Sequence, residues 1–199
     1  TTMSGLINIG TITGTEDSVK VGGIVGDMLG GSLTGETYNL GGVSGGSIVG
    51  GIVGMARNEA SIGEANGFQI FNQLNVTGDY NVGGIAGTLS DSTITNAANH
   101  GNVKAEGYKE DIYQYHTAAA ESNLDGATLS GNNLASIEVK AANAGGIAGE
   151  TKDNATISDV LNDGDVTSTR VKDGDKHYIA GNVGGIVGRA ENTDITNAE

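Results

Sequence analysis

The sequence predicts an all-β chain wound as a right-handed parallel β-helix of about five coils, with two insertions on one edge. Three observations predict it. Glycine supplies 35 of 199 residues and proline none, against an ordinary glycine share of about 7%. The hydrophobic residues make up 37% of the chain with only 4% aromatic and no Trp, so the core must come from small and β-branched side chains, which favour strands. Finally, one hexapeptide recurs five times, and self-similarity of this kind marks a stack of repeats.

The hexapeptide is Val21-Gly22-Gly23-Ile24-Val25-Gly26, then Val49-Gly50-Gly51-Ile52-Val53-Gly54 and Val82-Gly83-Gly84-Ile85-Ala86-Gly87. It returns as Ala144-Gly145-Gly146-Ile147-Ala148-Gly149 and Val183-Gly184-Gly185-Ile186-Val187-Gly188. The Gly-Gly pair is expected to form a bulge or corner that turns the first Val and the Ile toward one core. Ile24, Ile52, Ile85, Ile147 and Ile186 should then stack as one buried column. A second motif follows: Ser92-Thr93-Ile94-Thr95-Asn96-Ala97, Ala155-Thr156-Ile157-Ser158-Asp159-Val160 and Thr193-Asp194-Ile195-Thr196-Asn197-Ala198, with a weaker copy at Ser32-Leu33-Thr34. A third closes the unit, as in Asn99-His100-Gly101-Asn102-Val103-Lys104 and Asn162-Asp163-Gly164-Asp165-Val166-Thr167. Each unit reads as three short strands separated by Gly/Asn/Asp turns. Parallel stacking at ~4.8 Å per strand makes the whole about 25 Å long. Asn8, Asn39, Asn72, Asn99 and Asn162 share one register; stacked, they form a side-chain amide ladder, or each serves as a turn former that tolerates the left-handed conformation.

These motifs resemble the GLUG repeat, named for a Gly-Leu-x-Gly core in which Ile here replaces Leu in all five copies. The resemblance covers nearly the whole chain outside the insertions. It implies an extracellular bacterial β-solenoid, as in adhesins and the non-catalytic regions of metallopeptidases that cleave immunoglobulin A1. It carries no catalytic residue to positions here.

The repeat is interrupted at one junction, between the third motif and the next hexapeptide. Residues 105–143 and 168–182 are long insertions in neighbouring coils, so they should leave the same edge and touch. They hold Tyr108, Tyr113, Tyr115, His116, Arg170, His177 and Tyr178. Tyrosine-rich loops on a rigid scaffold suit ligand recognition; the alternative is that the tyrosines cover the edge of the stack. Thr128-Leu129-Ser130 and Ile137-Glu138-Val139-Lys140 are strand-like enough to form a degenerate coil within the longer insertion.

Catalytic signatures are missing. The three histidines lack HExxH spacing, there is no Cys, and no phosphate loop or GxSxG elbow occurs. No enzyme activity and no cofactor are expected. Asp163, Asp165, Asp173 and Asp175, in two Asp-Gly-Asp triplets, are weak calcium candidates, turn chemistry being the other reading. A net charge of −14 disfavours nucleic acid and anionic membranes as partners, and no apolar run approaches the ~18 residues of a membrane-spanning helix. No signal peptide is visible, and the start at Thr1-Thr2-Met3 reads as a mature or excised piece.

Three functions are expected in order. The first is a non-enzymatic secreted or cell-surface stalk or adhesin segment that binds a host or cell-surface protein or glycan. The second is a subunit that stacks head to tail into a filament. The third is a polysaccharide-active β-helix domain. Met3 to Asn8 aligns with Ile94 to Asn99, so the chain begins and stops near one register. It is accordingly expected to adjoin further repeats or other copies rather than stand as a free monomer.

Overall fold

The computed structural model describes residues 1–15, 17–107, 142–169, 172–173, 176–177 and 181–199. The regular structure among them is entirely strand, arranged in four parallel sheets and one short antiparallel ladder. Sheet I consists of Lys20–Gly22, Ile48–Gly50, Asn81–Gly83, Asn143–Gly145 and Asn182–Gly184. Sheet II consists of Val25–Leu29, Val53–Arg57, Ala86–Ser90, Ala148–Lys152 and Val187–Ala190. Sheet III is the largest. Its long strands Thr93–Asn99, Ala155–Asn162 and Thr193–Ala198 are each matched in earlier layers by shorter pieces such as Ser32–Thr34 and Thr37–Asn39. Sheet IV consists of Ile12–Thr13, Val43–Ser44, Val76–Gly78, Val103–Ala105 and Val166–Ser168. The chain visits sheets I, II, III and IV in turn and then begins the next layer.

Register follows the sequence repeat without slippage. In sheet I, Val21, Val49, Val82, Ala144 and Val183 pair in succession. The isoleucine column forms as expected: Ile24 N donates to Ile52 O at 2.9 Å, Ile52 N to Ile85 O at 3.0 Å, and Ile85 N to Ile147 O and Ile147 N to Ile186 O at 2.9 Å each. Ile52, Ile85 and Ile147 are fully buried, while Ile24 and Ile186, in the first and last hexapeptides, are half-buried.

Two expectations about the hexapeptide are corrected. It is not one strand but two, ending a strand of sheet I and starting one of sheet II, so a full layer has four or five strand segments rather than three. Nor do its first Val and its Ile share a core. Val21, Val49 and Val82 pack with Val43, Val76 and Val103 of sheet IV. Ile52, Ile85 and Ile147 pack with Leu33, Ile62, Ile94 and Ile157 of sheet III. The cause is a backbone-to-backbone seam. A Cβ on Gly54 would sit 2.8 Å from the backbone nitrogen of Val21, and one on Gly149 would sit 2.5 Å from that of Val82. Only glycine lets sheets I and II close to this distance, and the closure splits the interior into two apolar compartments.

The corners use left-handed residues in columns. Between sheets II and III stand Asn58 and Glu59, Asp91, Asp153 and Asn154, and Asn192; within sheet III stand Asn96, Asp159 and Asn197. All have positive φ, and Asn and Asp are the non-glycine residues that tolerate it best.

Thr128-Leu129-Ser130 and Ile137-Glu138-Val139-Lys140, expected to form a degenerate coil, lie outside the described residues. Asn81–Gly83 pairs directly with Asn143–Gly145, and Val103–Ala105 directly with Val166–Ser168. No layer stands between them.

Candidate functional site

The site is the rim where sheet IV hands the chain back to sheet I. In the second complete layer this junction is short, with Asp79 and Tyr80 bridging Val76–Gly78 to Asn81–Gly83. In the next two layers the insertions replace it. Strand pairing reaches further into both insertions than the repeat boundary at 105 and 168. Glu106 N and Gly107 N donate to Gly78 O and Asp79 O at 2.7 and 2.9 Å, and Thr169 N donates to Ala105 O at 2.9 Å. The returning chain is seated by buried Ala142 and by Asn143 N donating to Tyr80 O at 2.6 Å. Gly181 lies against Ala142 O. The departures and returns of the two insertions are therefore next neighbours, one layer apart.

A polar network lies beside this rim that the sequence reading did not find. Asn182 Nδ2 donates to Asn143 Oδ1 at 2.7 Å, and Asn143 Nδ2 to Asn81 Oδ1 at 2.8 Å. Asn81 Nδ2 in turn donates to Thr88 Oγ1 at 2.9 Å and to Glu150 Oε2 at 3.1 Å. Glu150, only 7% exposed, accepts from Arg189 Nη1 at 2.6 Å through its other oxygen. The hydrogen bond to Glu150 raises the Arg189 guanidinium above its ordinary value. A sequence signal for the network existed: the residues that flank four of the five hexapeptides, seven apart, are polar pairs, Lys20 and Asp27, Asn81 and Thr88, Asn143 and Glu150, Asn182 and Arg189, the second hexapeptide being flanked by Ile48 and Met55. In the first of these rungs Lys20 Nζ binds Asp27 Oδ2 at 2.6 Å.

No protein-family model, curated protein or solved structure matches this chain. Function is therefore read from the geometry.

The sequence-derived site residues fall in three groups. Tyr108, Tyr113, Tyr115, His116, Arg170, Tyr178 and the calcium candidate Asp175 lie outside the described residues. His177 and Asp173 belong to the two-residue strands Lys176–His177 and Lys172–Asp173, which pair antiparallel within the second insertion. Asp163 and Asp165 are described, the first held through its carboxylate and the second through its backbone. Asp163 Oδ1 lies 2.8 Å from His100 Nδ1, and Asp165 N donates to Asn102 Oδ1 at 3.0 Å. Among the described residues no three His, Asp or Glu side chains converge as a metal site.

The asparagine register where sheet III hands the chain to sheet IV forms a continuous ladder. Asn8 donates through Nδ2 to Asn39 Oδ1, Asn39 to Asn72, Asn72 to Asn99 and Asn99 to Asn162, at 2.7–2.8 Å. Each Nδ2 also donates to the carbonyl two residues on, as Asn99 does to Gly101 O at 2.7 Å. Turn closure and ladder are thus one structure, the side chain closing its own turn and joining the next, but none of the five adopts the left-handed conformation. Outside this ladder, Tyr38 and Phe71 stack with centroids 5.1 Å apart, and His100 continues the column at 6.4 Å. The ring faces are turned along the stack, toward each other.

Proposed function

We propose that the chain is a right-handed parallel β-helix of the GLUG type, acting as a non-enzymatic extracellular module, a stalk or adhesin segment. Its two insertions together form one recognition surface for a host or cell-surface protein or glycan. The observation that supports this reading most is the adjacency of the insertions. They replace the short junction in two successive layers and at no other junction among the described residues, and their stems are hydrogen-bonded to one frame. A rigid scaffold that holds variable loops side by side is the arrangement in which loops bind without a large ordering cost.

The test is a screen of immobilised glycans and surface proteins with two chains: the intact one, and one in which residues 108–141 are replaced by a short polar linker. Both are first checked for a cooperative melt. Binding by the intact chain that is lost in the folded deletion supports the reading. Equal binding by both, or none by the intact chain, overturns it.

A further inference from the structure

The second complete layer departs from its neighbours within sheet III. Ser61–Ile62 and Ile70–Asn72 are separated by residues 63–69, whereas Thr93–Asn99 crosses the same stretch as one strand. The excursion is anchored at both stems. Glu64 Oε1 accepts from Gly35 N at 3.2 Å, Glu64 O accepts from Asn96 Nδ2 at 2.6 Å, and Gln69 N donates to Asn96 O at 3.1 Å. Between the anchors stand exposed Ala65, Asn66, Gly67 and Phe68. The Asn66 side chain is exposed and makes no hydrogen bond among the described residues. Gly67 has φ +84°, with nothing within 4 Å of where a Cβ would lie.

The chain has 19 asparagines, and Asn66 alone is followed by glycine. That matters because the backbone nitrogen of the following residue can attack an asparagine side-chain carbonyl, and a side chain on that residue crowds the approach. The two ladders hold their amides in the opposite condition. Asn72 is fully buried, its Nδ2 donates to Leu74 O and to Asn99 Oδ1, and Gln73 follows it. Asn58, Asn154 and Asn192 are exposed at corners but precede Glu59, Ala155 and Thr193.

We infer that Asn66-Gly67 is a site of spontaneous covalent modification, the side chain reacting with its own backbone and then with water. The Gly67 nitrogen attacks Asn66 Cγ; the new N–Cγ bond forms, the Cγ–Nδ2 bond breaks, and ammonia departs with the backbone proton, leaving a cyclic succinimide. Water then opens either ring carbonyl to give aspartate or isoaspartate. The balance is one water consumed and one ammonia released, with no redox change. The product adds a negative charge between Glu64 and the exposed ring of Phe68, on the tip of the excursion. The stack carries none of the altered contacts.

The experiment is to age the intact chain in mildly alkaline buffer for several days and to follow it by peptide mass mapping and thermal melting. The expected result is a gain of one mass unit in the peptide containing Asn66, ahead of every other asparagine, with an unchanged melt. The Asn66→Gln variant should lose that gain. Asp-Gly isomerisation, open to Asp163-Gly164, leaves mass unchanged and is thereby distinguished. An earlier gain at a ladder asparagine, persistence of the gain in the Gln variant, or no gain at Asn66 would overturn the assignment.

Discussion

Asn72 and Ile85 illustrate two kinds of residue that hold the layers together. Asn72 sits mid-ladder with its amide shared between its own turn and both neighbouring layers. Removing a buried hydrogen-bonding group leaves its partners without replacement, at about 1–3 kcal/mol. Asn72→Ala should therefore lower stability by about that amount in denaturant titration. Asn8→Ala, at the partly exposed end of the same ladder, should cost clearly less. Equal losses would mean that the ladder contributes only turn closure. Ile85 is fully buried between Ile52 and Ile147. Ile85→Ala should cost about 2–5 kcal/mol, since neighbouring layers pinned by hydrogen bonds above and below cannot collapse into the space. A loss well under that range would show a core that relaxes.

The strand-corner-strand element of the hexapeptide is where glycine is required by space rather than by φ. A Cβ on Gly84 would collide with the Asn99 side chain and with Gly146 O, whereas one on Gly185, the same position in the last layer, meets nothing within 4 Å. Gly84→Ala should therefore exceed the about 1–3 kcal/mol of ordinary overpacking, while Gly185→Ala should be near neutral; thermal melts of the pair provide the comparison. Ion pairs across sheet II act on a smaller scale. The hydrogen bond from Arg57 holds the Asp27 carboxyl below its ordinary value; desolvation opposes it, and Lys20 adds to the lowering. A carboxylate with a lowered native value adds stability above the unfolded value of about 3.9, lost as pH falls through the native one. Asp27→Asn should therefore lower stability only slightly above about pH 4, because the group is about one-third exposed, and the difference should vanish as pH falls through the native value. No difference at neutral pH would mean that solvent screens the pair completely.

At the scale of the whole molecule, the layers on either side of each insertion pair directly with each other. Replacing residues 108–141 by a short linker should thus leave the melting temperature within a few degrees, as a change of under about 1 kcal/mol would. A large loss would assign part of the scaffold to the insertion. The repeat motifs determined the order and register of the layers, because five copies of one hexapeptide leave a single pairing that stacks their isoleucines in one column. They also determined the ladder from Asn8 to Asn162, because equivalent residues in a parallel stack must lie one above another. The division of the interior was decided only in three dimensions. Val21 and Ile24 look alike as apolar residues; which compartment each enters depends on how closely two glycine-lined backbones approach, and that is a property of the seam. The buried Glu150 was hidden for the same reason. Its partners Asn81 and Arg189 come from other layers, and an acidic residue after a hexapeptide reads as solvated charge until the layers above and below enclose it.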